Sequence, residues 1–276
     1  MNVEKKLSLR EIHMRLLEMT IEFHNFCENN NLNYYLTGGS LLGAVLHKGF
    51  IPWDDDVDIA MPRPDYEKLI LFSKISDDLD IVSAHSKTNY YHPYAYCNIA
   101  DKKTLMYEEY ISTTTGKGLF LDIFPLDGLP NKKKEALKFG RMVGIWARIL
   151  GYNSVSIPRP NSLRNCIKIP IIAVAKLFDV ERLINKIEFY AKSHEYGKTK
   201  YCAQIVNKVY PIEQELRYIE DYNEKILWEF ENTKLYIPAG YNRILTDNYG
   251  DYMTPPPFDK QKSHHGITVV WREKND

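Results

Sequence analysis

The stretch with the clearest chemical content is GGSLLGAVLHKGFIPWDDDVDI, residues 38–59. Four of its residues are closely spaced aspartates: Asp54, Asp55, Asp56 and Asp58. Like charges this close repel each other, so the cluster needs a compensating partner such as a bound cation. If residues 54–59 are extended, Asp56 and Asp58 lie on one face, while Val57 and Ile59 face the core.

Two carboxylates on one face of a partly buried strand predict a divalent metal site, with Asp54 as a supporting ligand. Oxygen ligands suit Mg²⁺ or Mn²⁺. The preceding Gly38, Gly39 and Ser40 supply a turn, free backbone N–H groups and a helix start, which favour phosphate binding. The alternative, a solvated acidic loop, is weakened by the apolar residues that pin this segment to a core. An EF-hand is rejected because Ile59 and Asp65 occupy the positions that require Gly and Glu.

A third carboxylate, Asp122, stands among apolar residues in GLFLDIFPLDGLP, residues 118–130. A buried carboxylate is costly unless it is paired or bound to a metal. One interpretation is that Asp122 accepts backbone N–H groups at a strand end. The other places Asp122 on a strand beside Asp56 and Asp58, where it completes a three-carboxylate site and binds metal or takes an acceptor's proton.

Composition limits the class of protein. The 276 residues suffice for one large or two small domains. Lys plus Arg and Asp plus Glu both number 36, so no overall field attracts nucleic acid. The four cysteines are scattered, which indicates a reducing compartment. The amino terminus has no apolar signal core, so we expect a cytoplasmic protein.

Hydrophobic periodicity predicts alternating helices and strands in the first half and mainly helices in the second, an α+β or α/β class, of which we favour α+β. The predicted helices are 8–29 (opened by a Ser8–Glu11 capping box), 41–46, 65–73, 132–150, 171–194, 213–230 and 241–248. The predicted strands are in LNYYLTGG, DVDIAMP, LDIVSA, NIADKKTLMYE, GLFLDIFPL and KLYIPAG. The fourth of these segments is expected to form a hairpin around residues 101–103.

The segment NSLRNCIKIPIIAVAKLF, residues 161–178, mixes cations with an apolar run. We favour a helix buried in the second half of the chain. The second interpretation is peripheral contact with a membrane that carries a lipid-linked acceptor.

Three motifs together resemble the LicD family of phosphocholine transferases, which is related to fukutin and fukutin-related protein. They are residues 38–69, GLFLDIFPLDGLP and YGDYMTPPP. The resemblance covers most of residues 10–130 and returns near 235–265. It implies a nucleotidyltransferase-like mixed sheet flanked by helices, whereas residues 131–230 match nothing in the family. Together with the helical pattern after residue 131, this predicts a catalytic core at 1–130 and a mainly helical region at 131–276 that completes the site.

The resemblance also implies an activity. A member of this family moves phosphocholine, or a related phospho-alcohol, from CDP-choline or a similar CDP-alcohol to a sugar hydroxyl and releases CMP. The acceptor would be a glycan or lipid-linked glycan precursor of the teichoic acid or lipopolysaccharide type, met in the cytoplasm at the inner face of the membrane. The nearest rival is a nucleotidyltransferase that uses a nucleoside triphosphate and releases pyrophosphate. A catalytically silent binding module is disfavoured by the three acids.

By position, the resemblance assigns donor phosphates to Gly39 and Ser40, the metal to Asp56 and Asp58 with support from Asp54, and the third acid to Asp122. Gly38 belongs to the same phosphate-binding turn. Many relatives carry Arg where Leu46 stands and Lys where Asn98 stands. Substitute cations are therefore expected among His47, Lys48, Arg63, Lys102 and Lys117, of which His47 and Lys48 are the preferred donor ligands. A choline donor would also favour an aromatic box, for which NYYHPYAY, residues 89–96, is the candidate, although packing is the favoured role of these tyrosines.

Overall fold

The computed structural model describes residues 6–88, 90–108, 116–158, 163–207, 211–262 and 266–272. The described helices are α1 (Leu9–Asn29), α2 (Gly38–His47), α3 (Arg63–Leu69), α4 (Lys133–Ser154), α5 (Leu163–Ala175), α6 (Val180–Ala191), α7 (Ile212–Glu215) and α8 (Tyr241–Tyr249). The described strands are β1 (Tyr35–Leu36), β2 (Asp58–Pro62), β3 (Leu79–Val82), β4 (Cys97–Asp101), β5 (Thr104–Glu108), β6 (Phe120–Leu129), β7 (Tyr201–Ala203), β8 (Arg217–Tyr218), β9 (Lys225–Phe230), β10 (Thr233–Pro238) and β11 (Ile267–Trp271).

A mixed sheet in the order β1-β2-β6-β4-β3 carries the acidic residues. Strands β2 and β6 run parallel, whereas β1–β2, β6–β4 and β4–β3 are antiparallel. The second half of β6 pairs with β7, which in turn pairs with β8. Helices cover this sheet, so the predicted α+β class is confirmed.

Helix α1 begins as its sequence predicts. The Ser8 hydroxyl accepts a hydrogen bond from the Glu11 backbone N–H at 3.3 Å, and the Glu11 carboxylate accepts one from the Ser8 N–H at 2.7 Å. This capping box satisfies two of the amide groups that a helix start leaves without partners. Fully buried Leu16 and Phe23 then anchor the helix in the core around the sheet.

Two hydrophobic clusters form the interior. The first joins α1 and the central sheet to residues of β9, β10, α8 and β11. The second joins α4 and α6 to β7 and the end of β6. Residues beyond 130 thus contribute to both clusters. The division of the chain at residue 130 stays a prediction.

Two predicted elements are wrong in type or in pairing. The predicted helix 213–230 is instead the short α7, β8, a 3₁₀ turn at Ile219–Tyr222 and β9, which forms a hairpin with β10. The predicted hairpin of β4 with β5 does not form, since β4 lies between β3 and β6 and β5 pairs with β11. The predicted helix 171–194 is divided between α5 and α6.

Helix α5 is less buried than predicted. Ile172 and Ala175 are buried, but Ile167, Ile171 and Val174 are exposed. These three positions follow the i, i+4, i+7 spacing of one helix face. The structure therefore corrects the expectation of a buried helix and leaves an apolar stripe on its surface. No described helix is both long enough and apolar enough to cross a bilayer.

Candidate active site

Asp58 and Asp122 lie opposite each other on neighbouring parallel strands. The register of β2 against β6 pairs Asp58 with Asp122 and Ile59 with Ile123. Adjacent strands are about 4.8 Å apart, so the two carboxyl groups leave the sheet side by side. The Asp122 N–H donates to the carbonyl of Val57 at 3.0 Å, which locks this register at the start of β2. Val57 and Ile59 are buried, as the alternating pattern predicts.

The amino terminus of α2 lies against the same carboxyl groups. A Cβ atom at Gly38 would lie 2.7 Å from Oδ2 of Asp58, and one at Gly39 would lie 2.7 Å from Oδ2 of Asp54. Gly38 also has φ +53°, a left-handed conformation that favours glycine. Ser40 Oγ accepts a hydrogen bond from the Asp58 N–H at 2.9 Å. The predicted turn and the acidic strand therefore form one site.

Asp54 is fixed by contacts of its backbone carbonyl as well as by the contact of its carboxylate with Gly39. Its carbonyl oxygen lies 2.6 Å from Nε2 of His13, and the His13 ring stacks on Phe50 with centroids 4.4 Å apart. Its carboxylate accepts the N–H of Asp55 at 3.3 Å. These contacts fix the acidic run against α1, so it is not a free solvated loop.

The electrostatics of the site favour a cation. Burial raises the pKa of Asp58 well above its usual range, and the neighbouring carboxylates of Asp56, Asp122, Asp54 and Glu215 raise it further. A cation would remove this repulsion, and the donors are all oxygen atoms. No three acidic, histidine or cysteine side chains in the described ranges form a preassembled metal cage. Mg²⁺ commonly binds through only one or two carboxylates plus substrate phosphates, so this donor set fits it.

A chain of hydrogen-bonded polar side chains orients the carboxylate of Asp122. Asn98 on β4 donates from Nδ2 to Oδ1 of Asp122, and its own Oδ1 accepts from Lys117 Nζ at 2.6 Å. Lys117 is almost completely buried, and its Nζ lies 3.4 Å from Nδ1 of His92. Burial and the Lys117 charge lower the pKa of His92 to about 3. Lys117, predicted only as one of several cations, is thus connected to the site through Asn98.

The other predicted cations lie elsewhere. His47 and Lys48 stand at the far end of α2 from Gly38, about 14 Å along the helix axis. Lys48 pairs with Glu229 at 2.7 Å. Arg63 is buried in a two-point pair with Asp127, and Lys102 lies 3.7 Å from Asp80. Direct phosphate contact by His47 and Lys48 stays a prediction that this placement does not support.

A cavity of about 70 Å³ opens beside the paired acids. Its lining includes Gly38, Asp58, Phe124, Glu215, Arg217 and Asn248. The last three come from α7, β8 and α8, a part of the chain in which the sequence marked no site residue. Solvent exposure alternates along β9, but this is visible only in the folded chain, and no local signal in the sequence identifies Arg217 as a site residue.

The sequence matches a family model along its first half. Residues 31–140 match the model described as LicD/FKTN/FKRP, nucleotidyltransferase domain, which contains Gly38, Asp58 and Asp122. Residues 31–140 thus form a LicD-family domain. Along 95% of its length the chain is 29% identical to 97% of the lipopolysaccharide cholinephosphotransferase LicD of Haemophilus influenzae. Uncharacterised proteins of Rickettsia prowazekii and Rickettsia typhi are each 40% identical over 52 residues, which is 19% of this chain and 20% and 17% of theirs.

This match and the similarity to the Haemophilus LicD confirm the resemblance of the motifs. The matched region joins the α2 turn to both acidic strands, and the similarity to the Haemophilus LicD continues through the region that supplies Arg217. The metal and the individual roles of Asp54, Asp56, Asp58 and Asp122 stay predictions at this point.

Proposed function

We propose that this chain transfers phosphocholine from CDP-choline to a sugar hydroxyl of a lipopolysaccharide-type glycan precursor and releases CMP. The observation that carries the proposal is the parallel pairing of Asp58 with Asp122 against the amino terminus of α2. It is supported by similarity to a named cholinephosphotransferase over nearly the whole chain. The predicted phosphotransferase class is confirmed by the same similarity and by the family match.

Displacement at a diphosphate depends mainly on positioning and on the neutralisation of charge. The backbone N–H groups at the start of α2 bind phosphate oxygens of the donor, and Ser40 holds the turn against Asp58. A bound Mg²⁺ or Mn²⁺, held by Asp58 with Asp56 or Asp122, would neutralise charge on the donor's phosphates. Asn98 fixes the carboxylate of Asp122, which accepts the proton of the attacking sugar hydroxyl.

Product analysis tests this proposal against the rival nucleotidyltransferase. We expect CMP from CDP-choline in the presence of Mg²⁺ and a glycan acceptor, and no pyrophosphate from CTP. Asp58→Asn removes a proposed metal ligand and Asp122→Asn the proposed proton acceptor, and each should lower kcat at least about a hundredfold. Asp55→Asn is the control, because Asp55 lies in the same run but is not one of the predicted metal ligands. Full activity of the Asp58 variant would refute the mechanism.

We also propose peripheral contact of α5 with the membrane that carries a lipid-linked acceptor. The apolar stripe formed by Ile167, Ile171 and Val174 lies next to Lys168 and the exposed Lys176. An exposed apolar helix face with nearby lysines suits binding in the interface of an anionic bilayer.

Sedimentation with vesicles of anionic phospholipid tests this contact. The protein should sediment with anionic vesicles, and Val174→Glu should abolish the binding. Leu71→Glu is the matched control, because Leu71 is also an exposed apolar residue but lies beyond the end of α3. Equal sedimentation of both variants would show that α5 is not the contact.

A further inference from the structure

Arg217 is a buried guanidinium in the wall of the cavity beside Gly38 and Asp58. Only 3% of its surface is exposed. It stands on β8, which is joined through β7 to β6, the strand that carries Asp122. Arg217 thus brings a positive charge to the site from outside residues 31–140, the range that matches the family model.

The hydrogen bonds of Arg217 are incomplete. Nη2 donates to Oδ1 of Asn248. Nη1 lies 3.6 Å from a carboxylate oxygen of Asp247, too far for a hydrogen bond, and no described residue accepts one from it. A buried guanidinium with incomplete hydrogen bonds keeps uncompensated positive charge, so the cavity that Arg217 lines is suited to an anionic ligand.

We propose that Arg217 binds a phosphate of the donor opposite the amino terminus of α2. This inference rests on the proposed function, since Arg217 would supply the positively charged side chain that binds the donor's phosphate beside the α2 turn and the acids. The phosphate lies between Arg217 and the start of α2, which leaves the choline head at the edge of the cavity.

The inference assigns opposite charges to the two sides of the cavity. Asp58 and Glu215 form its acidic side, which suits a cation on the donor's phosphates, while Arg217 and the start of α2 supply the positive side. A guanidinium offers two parallel N–H groups to phosphate oxygens, whereas an ammonium offers a single point charge. Lysine should therefore replace Arg217 poorly.

Calorimetric titration of the full chain with inorganic pyrophosphate in the presence of Mg²⁺ tests the inference. Arg217→Lys should weaken binding about ten- to a hundredfold, the value of a charge-assisted hydrogen bond. Arg15→Lys is the matched control. Arg15 is also 3% exposed and also has one buried nitrogen without a hydrogen bond, but it pairs with Asp101 and does not line the cavity. Equal binding by the Arg217 variant and the wild type, or no binding by the wild type, would overturn the inference.

A second variant covers the case in which Arg217→Lys fails to fold. Asp247→Asn removes the half-exposed carboxylate that lies 3.6 Å from Nη1 and offsets part of the positive charge of Arg217, so this variant should bind pyrophosphate about threefold more tightly. Unchanged or weaker binding would overturn the inference. Pyrophosphate binding that depends on Arg217, without CMP release from CDP-choline, would refute the proposed activity alone. If CMP is released from CDP-choline but Arg217→Lys binds pyrophosphate as tightly as the wild type, only the inference is refuted.

Discussion

Gly38 and Asp58 are in such close contact that a methyl group on Gly38 would lie 2.7 Å from the Asp58 carboxylate. Gly38 also has a left-handed φ of +53°. The closeness of the α2 turn to the acidic strand therefore depends on a residue without a side chain at this position. This contact joins the phosphate-binding turn to the acids that would hold a metal.

Gly38→Ala should destabilise the fold by more than a backbone effect alone. The left-handed conformation costs a non-glycine residue about 1–2 kcal/mol, and the contact with Asp58 adds to this. Gly197→Ala is the control, because Gly197 has φ +89° and nothing lies within 4 Å of the place that a methyl group there would take. Denaturant unfolding should show a larger loss for Gly38→Ala, and equal losses would contradict a tight contact in the site.

Lys117→Met should lower kcat without removing any group that touches substrate. Without its ammonium, Oδ1 of Asn98 loses a hydrogen bond of 2.6 Å, and the orientation of Asp122 loosens. An unsatisfied buried acceptor costs about 1–3 kcal/mol, which we expect to appear partly as a roughly tenfold loss of kcat. Steady-state kinetics with CDP-choline measures it.

Lys102→Met is the control for Lys117→Met, because Lys102 is a partly exposed lysine paired at 3.7 Å with Asp80. A Lys117→Met enzyme with the wild-type kcat would show that Asp122 needs no support from Asn98 and Lys117. An equal loss of kcat in Lys117→Met and Lys102→Met would indicate a general effect of removing a positive charge.

Acid should destabilise the protein partly through His92. Its pKa is lowered to about 3 in the folded chain, against about 6.5 when unfolded, so the unfolded state binds the extra proton between these values. Its contribution to stability is complete above about pH 6.5 and is lost as the pH falls towards 3, at up to about 1.4 kcal/mol per pH unit.

The geometry of His92 gives a variant that tests this. Nε2 lies 2.6 Å from the Tyr96 carbonyl, and Nδ1 faces the Lys117 ammonium, so the neutral ring donates from Nε2 and accepts at Nδ1. Between pH 4 and 6, His92→Gln should flatten the dependence of the free energy of unfolding on pH. An unchanged slope would assign the acid sensitivity to other groups.

Phe124→Leu should distinguish CDP-choline from CDP-glycerol. Phe124 lines the cavity, and its ring centroid lies 4.7 Å from that of Tyr96, which stacks on Tyr94. If these rings contact the quaternary ammonium of the donor at the cavity's edge, the variant should raise KM for CDP-choline about two- to thirtyfold, the range of a cation–π contact. KM for CDP-glycerol should change little.

Phe139→Leu is the matched control for Phe124→Leu, because Phe139 packs in another aromatic group, against His194 and Tyr190. Equal changes of KM for both donors in Phe124→Leu would leave the tyrosine segment with a packing role only, which is the role that its sequence favoured.

Local chemistry made several features readable from the sequence. The Ser8–Glu11 capping box predicts the start of α1 because both hydrogen bonds lie within three residues. The alternation around Asp58 predicts a strand with Val57 and Ile59 in the core, since a strand places successive side chains on opposite faces. The acids and the glycine turn were recognisable as one chemical unit because like charges and free backbone N–H groups need complementary partners.

The tertiary structure decided which strands pair and which distant residues enter the site. No local signal states that β6 lies between β2 and β4, and a strand can pair with any partner whose hydrogen bonds and buried face match. The expected hairpin failed for this reason, because β5 pairs with the distant β11. The expected helix 213–230 failed differently, because β9 forms a hairpin with the neighbouring β10. Arg217 reaches the cavity only because β7 and β8 continue the sheet beyond β6, so its role depends on contacts between segments that are distant in sequence.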